Sequence, residues 1–327
     1  MQRRQLLQAG TAVASTWMLG TGPARAQAPA FPDRPIKILQ GFAAGGNADA
    51  IARAIGNEIA KPLGQAVVVE SQSGAGGTIA ASAVARAQPD GYNLLLATGG
   101  HTAAGALYKS LPYKTVDDFA MVSTITFFPF LLVTLADAKP ATLAELLAKA
   151  KAEPGKVAYG TAGIGSTHHL AGELLASMSK SQLLHVPYRG DAASLTALLS
   201  GDIPFIIAPP TAVLGNIKAG KLRAIATTGA QRWPGLPSVP TVAEQGVAGY
   251  DVSSWAGLMA PAGTPRPIID RLNSEVQKAL QLPAVRTRLE EMGGEARGST
   301  PEEMRAMVAA QTQKWTRVVA EAKIPQQ

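Results

Sequence analysis

The residues of this chain best placed to do chemistry are small, neutral and clustered. Gly41-Phe42-Ala43-Ala44-Gly45-Gly46-Asn47-Ala48-Asp49 follows a short apolar run, Ile36-Lys37-Ile38-Leu39, and leads into Ile51, Ile55 and Ile59 at a repeat of four. This order reads as strand, glycine loop and helix. Paired glycines turn the backbone tightly and let it come close to a ligand. Either Asn47 or Asp49 can cap the helix. The free amides of the first turn, at the positive end of the helix dipole, form a seat for an anion. Gly160-Thr161-Ala162-Gly163-Ile164-Gly165-Ser166-Thr167 repeats the design after Val157-Ala158-Tyr159. We therefore expect two loops that face each other and close on a carboxylate.

Other reactive side chains fit this chemistry better than catalysis. Ser166 with His168 as base would make a nucleophile, but the surrounding residues are not G-x-S-x-G. At a helix start after Gly165, Ser166 reads as an N-cap or a ligand donor. His168, in the first turn, is placed near the ligand, whereas His169 points elsewhere, into packing or to the surface. No H-E-x-x-H motif or carboxylate at ligand spacing accompanies them, so no metal is expected. His101 follows Thr98-Gly99-Gly100 at a strand end, where it either lines the cleft or is solvated. Arg189, after Tyr188, is either a carboxylate partner or a surface cation. Trp255 is either a pocket wall or core. The spacing Gly41, Gly45, Gly46 is not G-x-G-x-x-G, and no P-loop lysine follows a glycine run, so no cofactor is expected.

These loops need a frame, and the chain supplies alternating strands and helices, which imply parallel sheets flanked by helices. Val67–Val69, Tyr92–Leu96, Val157–Tyr159, Leu183–Val186, Phe205–Ile207 and Leu222–Ala226 read as strands. Ligands of such sheets sit beyond the carboxyl ends of the strands, where the glycine loops fall. Met121–Leu135 reads as one extended crossing and Val252–Ala260 as a return. Two crossings describe a clamshell: lobe 1 from 27–125 and 252–327, lobe 2 from 126–251. Expected helices include one with Leu170, Leu174 and Met178 on a face, and one capped by Asp191 with Leu195, Leu198 and Leu199 inward. Thr142 with Glu145, and Thr300 with Pro301 and Glu303, are capping signals. The rival architecture is a single large doubly wound sheet.

Taken in order, the motifs resemble the Bug-type, or tripartite tricarboxylate transporter, family of periplasmic substrate-binding proteins. Phe31-Pro32-Asp33-Arg34-Pro35-Ile36, Gly45-Gly46-Asn47-Ala48-Asp49, Ser73-Gly74-Ala75-Gly76-Gly77 and Pro89-Asp90-Gly91-Tyr92 carry the resemblance in the first part. Gly165-Ser166-Thr167-His168-His169-Leu170-Ala171-Gly172-Glu173, His185-Val186-Pro187-Tyr188-Arg189-Gly190 and Leu258-Met259-Ala260-Pro261-Ala262-Gly263-Thr264-Pro265 carry it later. The resemblance implies a two-lobed, type II periplasmic-binding-protein fold, each lobe a mostly parallel sheet flanked by helices. It also implies a ligand carboxylate between Phe42–Asp49 and Gly160–His168, gripped by backbone amides, hydroxyls and water. Candidate ligand residues are Phe42, Ala44, Gly45, Gly46, Asn47, Asp49, Thr98, His101, Thr161, Gly163, Gly165, Ser166, Thr167, His168, Tyr188, Arg189, Ala208 and Trp255. The chain departs from the family pattern at Ala43-Ala44, where prolines are usual, at Ala208, where many relatives carry Asp, at Ala104-Gly105 and at Ala256. A pocket with less acid and more room disfavours an amino-acid ligand, whose ammonium needs a partner. A dicarboxylate or aromatic carboxylate is expected.

Composition fits this reading. The 327 residues are 46% hydrophobic and 16% charged, enough for two compact lobes. The absence of cysteine excludes a disulfide scaffold, a thiolate metal site and a catalytic thiol. Residues 1–26 read as an export signal: Arg3-Arg4, an apolar run from Leu6 to Gly20, and Ala24-Arg25-Ala26 as a cleavage signal. Arg3-Arg4-Gln5-Leu6-Leu7 resembles a twin-arginine signal with Leu6 in place of Phe; Sec export is the alternative. The net charge of +7 falls to +4 without Arg3, Arg4 and Arg25. Lys and Arg are scattered, so no nucleic acid is expected. The sequence thus points to a monomeric periplasmic receptor that delivers its ligand to membrane transporter subunits or a sensor domain. A secreted hydrolase-like α/β enzyme would need a nucleophile–base pair, and an adhesive envelope protein an exposed repetitive face.

Overall fold

Strand and helix alternate because apolar runs of about five residues are separated by glycine turns and amphipathic repeats. The computed structural model describes Phe31–Gln327, so the expected export signal lies outside the described residues. In chain order the elements are β1 (Ile36–Gln40), α1 (Asn47–Leu63), β2 (Val67–Ser71), α2 (Thr78–Ala85), β3 (Asn93–Thr98), α3 (Gly99–Leu107), β4 (Phe119–Pro129) and β5 (Leu131–Leu135). There follow α4 (Leu143–Ala152), β6 (Val157–Thr161), α5 (Thr167–Ser179), β7 (Leu183–Pro187), α6 (Asp191–Leu199), β8 (Phe205–Ala208), α7 (Pro210–Lys218) and β9 (Leu222–Thr227). The chain ends with β10 (Ser253–Pro261), α8 (Arg266–Gln281), α9 (Pro283–Glu291), the two-residue β11 (Glu295–Ala296) and α10 (Pro301–Glu321).

Two sheets result, as a two-lobed α/β fold requires. The first has the order β11-β4-β10-β3-β1-β2 and the second β7-β6-β8-β5-β9. In the first, β1 pairs in parallel with β2 and β3, while β10 runs antiparallel to both β3 and β4. In the second, β6 is parallel to β7 and β8, and β5 is antiparallel to β8 and β9. The pairings are mixed, yet β1–β4 share one direction and so do β6–β9. Their carboxyl ends therefore gather the starts of α1, α3, α5, α6 and α7 into one region.

The first crossing is sharper than its sequence suggests. β4 stays in the first sheet through Pro129, which pairs with Ser253, and β5 enters the second at Leu131. The two crossings are joined: the Phe130 N–H donates to Thr228 Oγ1 at 2.8 Å, and the Val252 N–H donates to the Thr228 carbonyl at 2.8 Å.

Packing explains most of the helices. Ile51, Ile55 and Ile59 of α1 are at most 1% exposed, and each such burial stabilises the fold by about 1.5–3 kcal/mol. The Thr300–Glu303 capping box forms, with Pro301 in the first turn. Thr142 accepts from the Glu145 N–H, but Glu145 bonds the N–H of Ala141, so that box is only half made. Three helix readings need correction. Asp191 is the first residue of α6, whose cap is Gly190, and neither Asn47 nor Asp49 caps α1, whose cap is Gly46. Met178 and Leu199 are exposed; each lies in the last turn of its helix. α3 has no clear sequence signal, since Gly99-Gly100 disfavours a helix. It is held by the Thr98 cap and by burial of almost every residue.

Candidate functional site

The two sheets present their glycine loops to each other. A cavity of about 700 Å³ lies between them, within the range of ligand sites. Its walls are Gly41–Ala43 after β1, Ser73–Gly76 after β2, Ala162–Ile164 after β6 and Pro187–Gly190 after β7, with Tyr108 and Gln327. The approach is close. A Cβ on Gly76 would lie 2.6 Å from the carbonyl carbon of Gly165, and one on Gly190 3.2 Å from the Ala43 Cβ. At these two points only residues without side chains, or with the smallest, fit.

Behind Phe42, which lines both spaces, is a smaller pocket of about 30 Å³. Here helix starts converge: Asn47 and Ala48 of α1, Thr98 capping α3, Thr167 and His168 of α5, Asp191 of α6 and Pro209 capping α7. Their amides and dipoles make the region electropositive. Phe128, Phe130 and Ser254 complete the wall. Asn47 Oδ1 accepts from Thr211 Oγ1 at 3.0 Å, a bond that joins the helices behind the two sheets.

The expected site residues divide into those that face these spaces and those that build them. Phe42, Gly163, Tyr188 and Arg189 line the cavity; Phe42, Asn47, Thr98, Thr167 and His168 line the smaller pocket. Arg189 is exposed and has no ion pair among the described residues. Asp49 supports the first loop from behind: its Oδ2 accepts from the Gly45 N–H at 3.1 Å and from Arg53 Nε at 2.8 Å. Burial pushes its carboxyl up, but the bonds from Arg53 and Gly45 outweigh this and hold it below the usual range. Ala44 and Gly45 are exposed, and Gly46 caps α1 without lining either space.

In the second loop, Thr161 Oγ1 lies 2.6 Å from His185 Nε2 and accepts from the Gly163 N–H. Ser166 caps α5: Oγ accepts from the His169 N–H at 3.2 Å and donates to the Gly163 carbonyl at 2.6 Å. Both bonds serve the loop and the helix cap. His169 stacks on His185 at 4.1 Å, and burial lowers it to about 4. Gly165 has φ +80° and a Cβ there would strike Tyr108.

Three expected residues lie in the core. His101 Nε2 is 2.8 Å from the Thr115 carbonyl, and its ring packs on Tyr113 and Phe119, with burial lowering it to about 4. Trp255 is 2% exposed within the first sheet's core, so the packing alternative holds. Ala208 is 1% exposed and lines neither space. The expectation of a pocket short of acid rested on it, whereas the structure brings a carboxylate to the smaller pocket from Asp191. Sequence reading missed Asp191 as a site residue, along with Phe128, Phe130, Ser254 and the Ser73–Gly76 loop. Only the last had a signal, as a third glycine loop at a strand end. Among the described residues no group of His, Cys, Asp and Glu could hold a metal, and no helix is long and apolar enough to cross a membrane.

Known proteins share this fold. Residues 51–324 match the tripartite tricarboxylate transporter family receptor. The UPF0065 protein of the tcbD-tcbE intergenic region of Pseudomonas sp. (strain P51) is 38% identical over 324 residues, 98% of this chain and 95% of that one. Rpa4515 of R. palustris, solved with adipate, superposes with a TM-score of 0.86 at 35% identity over 91% of this chain and 100% of that one. MatC from Rhodopseudomonas palustris, solved with bound malate, gives 0.84 at 35% identity over 88% and 100%. With this agreement over nearly its whole length, the chain belongs to the tripartite tricarboxylate transporter receptor family, and it is a solute-binding protein and not an enzyme.

Proposed function

We propose that this protein is an exported periplasmic receptor whose two lobes, 32–129 with 253–327 and 131–251, close on a small organic carboxylate. The observation that carries the reading is the 700 Å³ cavity walled on both sides by glycine loops at strand ends. The carboxylate is held by loop amides and helix starts, with the unpaired Arg189 at the rim. The ligand is a dicarboxylate or an aromatic carboxylate without an amino group. The cavity has room for either. Binding of adipate by Rpa4515 and of malate by MatC supports a dicarboxylate.

Contacts with both lobes exist only when they meet, so the ligand favours closure by population shift. The monomeric receptor, cleaved after Ala26 following twin-arginine or Sec export, delivers its ligand to the membrane subunits of a tripartite tricarboxylate transporter or to a sensor domain. The test is a thermal-shift screen of residues 27–327 against aliphatic di- and tricarboxylates, aromatic carboxylates and amino acids. Ligand at 100 times its Kd adds about 2.7 kcal/mol of stability. A shift with one carboxylate class and none with amino acids is expected; amino acids alone giving a shift would overturn the reading.

A further inference from the structure

The second glycine loop rests on two stacked histidines that line neither the cavity nor the smaller pocket. His169 of α5 is 5% exposed and lies face to face with His185 of β7, at 4.1 Å between ring centroids and 17° between planes. Each ring holds the loop from behind. The Gly165 N–H donates to His169 Nδ1 at 3.5 Å, a long bond. His185 Nε2 is 2.6 Å from Thr161 Oγ1, which also accepts from the Gly163 N–H at 3.2 Å. Gly163 lines the cavity, and Gly165 is where the opposite loop comes closest, at Gly76.

This wiring fixes what a proton does. A backbone N–H only donates, so His169 Nδ1 is the bare nitrogen and the ring hydrogen sits on Nε2. A proton taken up by His169 goes onto Nδ1, where it faces the Gly165 N–H and the bond is lost. A proton taken up by His185 makes both its ring nitrogens donors. Nε2 then donates to Thr161 Oγ1, and the hydroxyl hydrogen of Thr161 must turn away from His185. A charge on either ring also opposes a charge on the other across the stack.

The surroundings do little to hold such a charge. Among the described residues Glu173 is the one carboxylate within 4 Å of either ring, its Oε1 lying 3.8 Å from His169 Nε2 and accepting from the Tyr159 hydroxyl at 2.8 Å. Tyr159 of β6 packs on His185, and Phe205 of β8 on Tyr159. Tyr250, with Asp251 beside it, donates to the Ala171 carbonyl, and His168 faces Asp191. Burial pushes the Glu173 carboxyl up, while burial lowers His169 to about 4 and, with His169 alongside, His185 to about 3. As pH falls, Glu173 is therefore neutral before either ring is charged.

We propose that His169 and His185 are positioning residues: as a neutral stack they hold the second glycine loop to its ligand, and uptake of a proton by the stack frees Gly163 and Gly165 and releases the ligand in acid. This rests on the carboxylate-receptor reading above. Rings held neutral in the closed form and freer in the open form bind protons on opening. Affinity is then greatest above their ordinary value near 6.5 and falls as pH drops toward 4, by up to about tenfold per pH unit for one proton.

The test has two arms, both on residues 27–327. Titration calorimetry with adipate, malate, phthalate and benzoate gives Kd at pH 7 and pH 5. For the tightest binder Kd should rise about tenfold or more beyond what the probe's own protonation accounts for. In His169→Asn, whose amide oxygen replaces Nδ1 as acceptor, and in His185→Gln, whose amide replaces Nε2, the rise should shrink to the probe's own; either variant suffices if the other does not fold. No excess rise in the unmodified protein overturns the proposal, as does an excess that persists in the variants. Unfolding of the unliganded protein by pH 5 overturns it too, since release would then follow from loss of the fold. In the second arm, nuclear magnetic resonance follows the unliganded protein from pH 7 to pH 4. The Gly163 and Gly165 amides should shift together with the ring signals of the pair, and amides indifferent to ring protonation overturn the support of the loop. Failure of every carboxylate to bind overturns the receptor reading and acid release with it, while the amide titration still decides whether the pair positions the loop.

Discussion

Replacing Gly76 with alanine separates the work of closing the lobes from the work of folding them. Gly76 has φ +65°, and an added Cβ would lie 2.6 Å from the Gly165 carbonyl carbon, 2.7 Å from the Ile164 oxygen and 2.9 Å from the Gly165 oxygen. All three are backbone atoms of the opposite loop, so no side-chain rotation relieves the overlap, and the loops must part by about 1 Å to restore ordinary contact. Two costs follow. The left-handed backbone of a non-glycine residue costs about 1–2 kcal/mol whether the lobes meet or not. The overlap exists only when they meet, and overpacking of this kind costs about 1–3 kcal/mol, or roughly 5- to 150-fold in Kd.

Gly64 provides the control. Its φ is +68°, and nothing lies within 4 Å of an added Cβ. Gly64→Ala therefore carries the backbone cost without the overlap. Urea melts of the unliganded proteins should show similar losses for the two variants. Calorimetry with a carboxylate that stabilises the unmodified protein should show weaker binding for Gly76→Ala alone. Unchanged affinity in Gly76→Ala would refute closure through this contact, and equal weakening in Gly64→Ala would refute the assignment of the effect to the overlap.

Three further outcomes are expected. Arg189→Gln leaves the melting temperature unchanged, because the side chain is exposed and unpaired, but raises the Kd for a dicarboxylate about tenfold or more in calorimetry. Ser166→Ala removes the α5 cap and lowers unfolding free energy in urea by about 1–2 kcal/mol. Burial depresses His101 and His169 to about 4, and burial with the neighbouring His169 depresses His185 to about 3. Groups depressed in the fold stabilise it above their unfolded value near 6.5, and that contribution is lost as pH falls toward 3–4. His101 and His169 alone give a slope of about 2.5 kcal/mol per pH unit near pH 5, read from urea midpoints across pH 4–7. Glu173, whose carboxyl burial pushes up, acts in the opposite sense just above the usual carboxylate range.

Local pattern made a large part of this protein legible. The strand, loop and helix around Gly45-Gly46 were readable because backbone freedom and a four-residue apolar repeat are properties of adjacent residues. For the same reason the capping box at Thr300 and the cap at Ser166 could be read from spacing alone. The second loop, Gly160–Thr167, was legible as a copy of the first. Less legible were α3, whose glycines disguise a helix held by its surroundings, and the last turns of α5 and α6, where Met178 and Leu199 continue the apolar pattern yet are exposed.

By itself the sequence determined the alternation of elements, the three glycine loops at strand ends and the family, because short-range sterics and periodic burial set these. Tertiary structure alone decided which side chains face the spaces between the two sheets. His101 and Trp255, plausible at a strand end and on a crossing strand, turn into the core. Asp191, plausible only as a helix cap, comes within 3.3 Å of His168. The positions are 23 residues apart in the chain, and their meeting depends on the parallel placement of β6 and β7, which sets the starts of α5 and α6 side by side. Such a juxtaposition follows from sheet order, and sheet order is fixed by long-range pairing that no local pattern encodes.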